Sequence, residues 1–147
     1  MDENIVLETA YAAYGSNLNL EKMAQRCPNA KCLGKGYLLD YKVTFAKRGF
    51  LDVVECIGEK VPVGLFKVTT EDLKPLDVYE EYPELYDRIP VTVTKENGET
   101  VSAFVYKMNA YDSVEKPSKE YWDIIVKGYQ DFDFDPNILD AALKAVE

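Results

Sequence analysis

The chain has 147 residues, 47% of them apolar, and a formal net charge of −9 from 17 basic and 26 acidic side chains, with no histidine. A surface this acidic argues against a general partner of nucleic acid or of an anionic membrane. The missing histidine excludes Ser-His and Cys-His nucleophile pairs, histidine-ligated zinc and imidazole acid–base chemistry, which leaves Asp, Glu, Tyr, Cys or Lys for proton transfer near neutral pH. Three cysteines, Cys27, Cys32 and Cys56, form an odd set without a C-x-x-C spacing, which points to buried thiols in a reduced, cytoplasmic compartment. The opening Met-Asp-Glu-Asn has neither the basic nor the apolar region of a signal peptide, and no run of 18 apolar residues is long enough to span a membrane. No repeat, low-complexity tract or long linker divides the chain, so one domain over residues 1–147 is expected.

The apolar stretch Ile5 to Tyr14 reads as a strand running into the loop Gly15-Ser16-Asn17. Asn19 is placed to cap a helix that carries Glu21 in its first turn and Leu20, Met23 and Ala24 at helical spacing, before Pro28 stops it. Cys32 to Ala46 is rich in β-branched and aromatic residues, and Gly34 and Gly36 predict a bend or bulge in that strand. Val61 to Val68 predicts another strand, in which Pro62 marks a start or an edge and Gly64 a close backbone approach. Thr70 is read as the cap of a helix to about Glu81, with Leu73, Leu76 and Tyr79 on one stripe and Pro75 early in it. Ile89, Val91 and Val93 alternate with polar residues, and Asn97-Gly98 turns the chain into a partner strand over Val101 to Met108. Ser118 caps a predicted helix from Lys119 to Lys127 closed by Gly128, and Asp135-Pro136 opens a last amphipathic helix over Asn137 to Val146. Strands and helices do not alternate regularly. The order predicts an α+β fold with a mixed, strongly curved or barrel-like sheet and peripheral helices.

Three segments offer chemistry. Tyr14-Gly15-Ser16-Asn17-Leu18 joins a strand to a helix, where glycine admits close approach and unpaired N–H groups suit a carboxylate or a developing oxyanion; an ordinary capped turn is the bland alternative. Glu80 stands beside the buried stripe near a helix C-terminus, where desolvation and the helix dipole both raise a carboxyl pKa toward that of a proton shuttle. The bland alternative is a solvated acidic face shared with Glu81 and Glu84. Several of the 11 tyrosines (Tyr11, Tyr14, Tyr79, Tyr82 and Tyr86) flank these segments and offer apolar walls with a polar tip, or simply core packing. Asp131-Phe132-Asp133-Phe134-Asp135 has the acid spacing of a calcium loop but Pro136 and Ala142 where glycine and glutamate are required, so it is not an EF-hand. Tyr121, Trp122, Ile125 and Val126 have the spacing of a buried helix face.

Together, Tyr-Ala-Ala-Tyr-Gly-Ser-Asn-Leu-Asn over residues 11–19, Val63-Gly64, Leu76-Asp77-x-x-Glu80, Tyr86-x-Arg88 and a hairpin ending in Tyr106 resemble the γ-glutamylcyclotransferase family in its bacterial form, over residues 9–130. The resemblance implies a cofactor-independent enzyme without a metal, of amine-lyase or acyltransferase type. The α-amino group of a γ-glutamyl compound would attack its own γ-carbonyl, expel an amine or amino acid and yield 5-oxoproline. Glu80 would be the general acid/base, the backbone around Gly15, Ser16 and Asn17 would hold the carboxylate or oxyanion, and Tyr86, Tyr106 and Tyr121 would line the cavity together with Tyr14 and Leu18. Substrates in scope are γ-glutamyl amino acids, γ-glutamyl amines, glutathione and an acylated carrier protein; the acidic chain favours the small ones. One departure stands out: Glu81 occupies the position where the family usually has glycine, so a turn and the pKa of Glu80 are both expected to feel it. A non-catalytic module that binds a γ-glutamyl-like metabolite or partner on the same scaffold is the competing reading. No sustained heptad or exposed apolar stripe is visible, and a monomer or weak homodimer is expected.

Overall fold

The computed structural model describes residues 8–111 and 113–147; the predicted strand start at Ile5 to Leu7 and the opening Met-Asp-Glu-Asn lie outside them. Five strands, β1 (Glu8–Ala13), β2 (Lys31–Phe45), β3 (Leu51–Thr69), β4 (Tyr86–Thr94) and β5 (Thr100–Met108), close into a barrel in the order β1-β3-β2-β4-β5. Closure is made by a parallel contact of β1 with β5 at Tyr11 and Phe104, while β1 with β3, β2 with β3, and β4 with β5 run antiparallel. Among the described residues four helices surround it: α1 (Leu20–Arg26), α2 (Thr70–Tyr79), α3 (Lys119–Asp131) and α4 (Asn137–Ala145). The expected curved, mixed sheet is therefore a closed one, which removes the unpaired edges an open sheet would expose. Among the described residues no helix is long and apolar enough to cross a membrane.

The local signals act largely as the residues suggest. The Asn19 side chain accepts the Lys22 N–H at 3.1 Å and opens α1. Bulges interrupt β2 between Cys32 and Gly34 and between Leu39 and Tyr41. Differences arise where a tertiary partner takes over. β3 begins at Leu51, ten residues before its predicted start, because β2 pairs with it down to Phe45–Leu51. Pro62 sits inside that strand, beyond the Gly64–Thr69 stretch that β1 pairs.

Helix α2 is capped by Thr69, one residue before the predicted Thr70, through a reciprocal box with Asp72, and it ends at Tyr79 so that Glu80 is its C-cap. Helix α3 does not stop before Gly128. It runs on to Asp131, and Gly128 lies within it because the missing side chain lets α3 meet the backbone at Leu18 and Asn19. Asp135 still accepts the Asn137 N–H at 2.9 Å, although the residue that flanks α4 directly is Pro136.

The core fills the barrel and the space beneath the helices, with Leu38, Phe45, Val53, Val61, Leu65 and Val105 among its fully buried members. Gly64 makes the predicted close approach: a Cβ there would stand 2.6 Å from the Phe132 ring and 3.0 Å from Leu18 Cδ2. Both contacts come from segments outside the barrel, so Gly64 seats the β1–α1 connection and the end of α3 against β3.

Candidate active site

A cavity with about 550 Å³ of atom-free space, its mouth included, opens where the end of β1, the end of α2 and the first residue of β3 converge. One wall is the 3-10 turn Ser16–Leu18 that follows β1. Its internal bonding begins with Leu18 N–H to Gly15 C=O at 3.0 Å, so the N–H groups of Gly15, Ser16 and Asn17 lie ahead of the turn's own hydrogen bonds. Gly15, Ser16 and Asn17 all line the cavity. The opposite wall is Glu80 and Glu81, just past α2. The Ser16 hydroxyl and the Tyr79 hydroxyl lie 2.9 Å apart and join the two walls.

The Leu76-Asp77-x-x-Glu80 pattern has a physical basis here. Leu76 is fully buried and anchors α2 on the barrel. Asp77 accepts the Tyr106 O–H at 2.7 Å and lies 3.6 Å from the Arg88 guanidinium, which fixes the rotation of the helix. One turn later Glu80 is delivered to the cavity. Glu80 is only partly exposed, and burial pushes its carboxyl up to about 8. The Arg26 guanidinium opposes that rise and the neighbouring Glu81 carboxylate adds to it.

Glu81 also explains the position of the family's glycine. Its φ is 53°, a left-handed conformation that glycine adopts freely and a glutamate holds at a cost on the order of 1 kcal/mol. Arg48 pairs with the Glu81 carboxylate through two guanidinium nitrogens at 3.0 and 3.2 Å, with both side chains about half exposed (48% and 49%). An exposed pair of this kind contributes about 1 kcal/mol at most.

The predicted tyrosines converge on the cavity except Tyr82, whose ring lies under the Arg88 guanidinium instead, and most of the hydroxyls at the cavity are already engaged. Tyr14 donates to the Tyr106 carbonyl at 2.6 Å and Tyr86 to the Leu51 carbonyl at 2.7 Å. Tyr121 accepts the Leu51 N–H at 3.1 Å. Burial holds Tyr11, Tyr14, Tyr86, Tyr106 and Tyr121 well above the ordinary phenol pKa, so they face the cavity as neutral walls and not as bases.

Leu18 is the exception among the predicted binding residues. It does not line the cavity; it is fully buried, its side chain packed at Gly64 and Gly128, and it supports the turn from behind. Phe50, Leu51 and Leu85 line the cavity without a sequence pattern that marks them. Arg26 is a further residue that pattern reading passes over, since a basic residue in the last turn of a helix reads as a partner of the helix dipole. Asp131, from the discarded calcium-like run, accepts the Leu20 N–H at 3.0 Å and pairs with Lys127.

The family pattern described as "Gamma-glutamyl cyclotransferase, AIG2-like" matches residues 11–124, which include both walls of this cavity. The chain belongs to this family. It is 31% identical to the γ-glutamylcyclotransferase of Bos taurus over 129 residues, covering 80% of this chain and 68% of that protein. It is 29% identical to the γ-glutamylcyclotransferase of Homo sapiens, covering 93% and 78%. A solved γ-glutamyl cyclotransferase structure superposes with a TM-score of 0.81 at 28% identity, covering 96% of this chain and 89% of the other. Membership makes the chain an enzyme of the γ-glutamylcyclotransferase type.

The raised carboxyl carries a consequence for stability. Glu80 titrates near 8 when folded and near 4.5 when free, so the folded state holds a proton that the unfolded chain releases between those values. Folding is therefore progressively disfavoured as pH rises from 4.5 toward 8, by about 1.4 kcal/mol for each unit separating the two pKa values. Glu80→Gln removes this cost. Urea unfolding of the parent and the variant should coincide below the free carboxyl's pKa and diverge in the variant's favour, by a few kcal/mol at pH 8. Parallel curves across that range would show a carboxyl that titrates normally.

Proposed function

We propose that the chain converts a small γ-glutamyl compound to 5-oxoproline and a free amine or amino acid, with Glu80 as general acid/base. The single observation that supports this most directly is a carboxyl with a pKa near 8 facing the same cavity as the Gly15–Asn17 amides. Glu80 accepts a proton from the substrate α-ammonium, whose own pKa is about 8, so the transfer is close to balanced. The freed amine attacks the γ-carbonyl and forms the ring C–N bond. The oxyanion or the glutamyl carboxylate lies against the N–H groups of the turn. The C–N bond to the leaving nitrogen then breaks as that nitrogen takes the proton held by Glu80, and the ring nitrogen gives its second proton to the Glu80 carboxylate, which passes it to the released amine. Atoms balance without an added reactant. Holding the chain in its near-attack geometry can supply on the order of 7 kcal/mol.

The test is a panel of γ-glutamyl dipeptides, γ-glutamyl amines, glutathione and an acylated carrier protein, with 5-oxoproline followed by mass spectrometry. Product from one or more small members is expected. Retained binding with no product from any member would replace the enzyme reading with that of a binding module.

A further inference from the structure

Arg26 ends α1 and is not among the residues lining the cavity, yet its side chain reaches the elements that frame it. Its Nη1 donates to Ser16 Oγ at 3.3 Å and, in a shorter contact, to Asn17 Oδ1. Its guanidinium carbon stands 3.4 Å from the centroid of the Tyr79 ring, the residue before Glu80. With the Ser16–Tyr79 hydroxyl contact, these interactions tie the turn after β1 to the end of α2. A helix-dipole role alone would direct the guanidinium to the last carbonyls of α1, whereas these three partners belong to other segments.

The contact to Asn17 also has an orientation. An amide side chain has one acceptor and one donor end. With Oδ1 taken by Arg26, Nδ2 donates to Tyr11 Oη at 2.9 Å. The Tyr11 oxygen is then an acceptor, and its own hydrogen remains to be offered to the cavity that Tyr11 lines.

We infer that Arg26 is a positioning residue for the reaction: it sets the spacing between the Gly15–Asn17 turn and Glu80, and it orients the Asn17 amide so that Tyr11 acts as a donor into the cavity. This rests on the function proposed above. Arginine suits the task better than lysine, because one planar group must stack on a ring and donate along its edge at the same time. Other charged or titratable groups also act on Glu80. Glu81 lies beside it, with Arg48 bound to the Glu81 carboxylate. The phenols of Tyr11 on β1, Tyr86 on β4, Tyr106 on β5 and Tyr121 on α3 face it as neutral groups, as does Tyr14 after β1. Arg26 supplies the opposing positive charge from α1.

The test compares Arg26→Gln and Arg26→Lys with the parent chain. Two readouts need no substrate. Hydrogen exchange of the Asn17 side-chain amide, followed by NMR, should quicken at least tenfold in both variants. The Glu80 carboxyl, followed by carbon NMR, should titrate about one pH unit higher in Arg26→Gln and close to the parent in Arg26→Lys. With a substrate from the panel, kcat should fall on the order of tenfold or more in both folded variants. The acid limb of the kcat profile should move to higher pH in Arg26→Gln alone. Unchanged Asn17 exchange in either variant, or parental kcat and KM in either, would overturn the inference. If Arg26→Gln does not fold, Arg26→Lys decides by amide exchange. A parent chain inactive toward the whole panel would remove the proposed function, while the amide exchange would still decide what Arg26 orients.

Discussion

Glu80→Gln lowers kcat for 5-oxoproline formation by roughly 10²–10⁴-fold, the range for losing one positioned proton shuttle. The substitution keeps the shape and a hydrogen-bonding tip but cannot take a proton from the α-ammonium. KM should change little, because Gly15, Ser16 and Asn17, on the opposite wall, are untouched. In the parent, kcat should rise with pH through the titration of Glu80 near 8, since the carboxylate is the form that accepts the proton. Steady-state kinetics over pH 6 to pH 10 measure both effects. Unchanged turnover in Glu80→Gln would move the acid/base role to another group and leave the family membership intact. The tyrosines are poor replacements, because burial raises their pKa values.

Gly128→Ala destabilises the fold by about 2 kcal/mol although alanine is the better helix former. In an ordinary helix interior this exchange stabilises by up to about 1 kcal/mol, so the expected sign is the reverse of the helix propensity. The reason is contact with backbone. A Cβ on Gly128 would stand 2.7 Å from the Asn19 nitrogen and 2.8 Å from the Leu18 carbonyl carbon, neither of which can move aside as a side chain can. Gly128→Leu should cost more. Because Leu18 ends the cavity turn and Asn19 follows it, the substitution should also raise KM. Urea unfolding reads the first effect and kinetics the second; a variant more stable than the parent would mean that α3 and the turn are not in close contact.

The two arguments differ in how far the residues alone could carry them. Asn19 as a cap, the Asn97-Gly98 hairpin and the β2 bulge at Gly34 were legible, because each depends on neighbours a few residues away, whereas Gly36 pairs in register and the second bulge falls between Leu39 and Tyr41. So were the two walls of the cavity: a glycine turn after an apolar strand, and a glutamate one turn past Leu76 and Asp77. Residue type and local position suggest their chemistry, and the resemblance to the family selects it over an ordinary capped turn and a solvated acidic face. Gly128 reads locally as a helix stop, because glycine near a helix end is a common terminator. The packing of α3 on Leu18 reversed that reading. Leu18 itself shared the motif with its neighbours but turned inward, since the residues of a 3-10 turn point in different directions.

Sequence alone determined the acidic, histidine-free chemistry, the α+β class and the identity of Glu80 as the candidate shuttle. The first two depend on composition and on periodicities of two to four residues, and the third also on the resemblance of Leu76-Asp77-x-x-Glu80 to the family's motif. The barrel's closure through β1 and β5, the early start of β3, the burial that shifts Glu80, and the reach of Arg26 across the turn to Tyr79 were decided by the tertiary structure. Each joins residues separated along the chain, ten positions apart for Arg26 and Ser16 and 93 for Tyr11 and Phe104. No local preference encodes such distances; they are set only when the sheet closes and the helices pack on it.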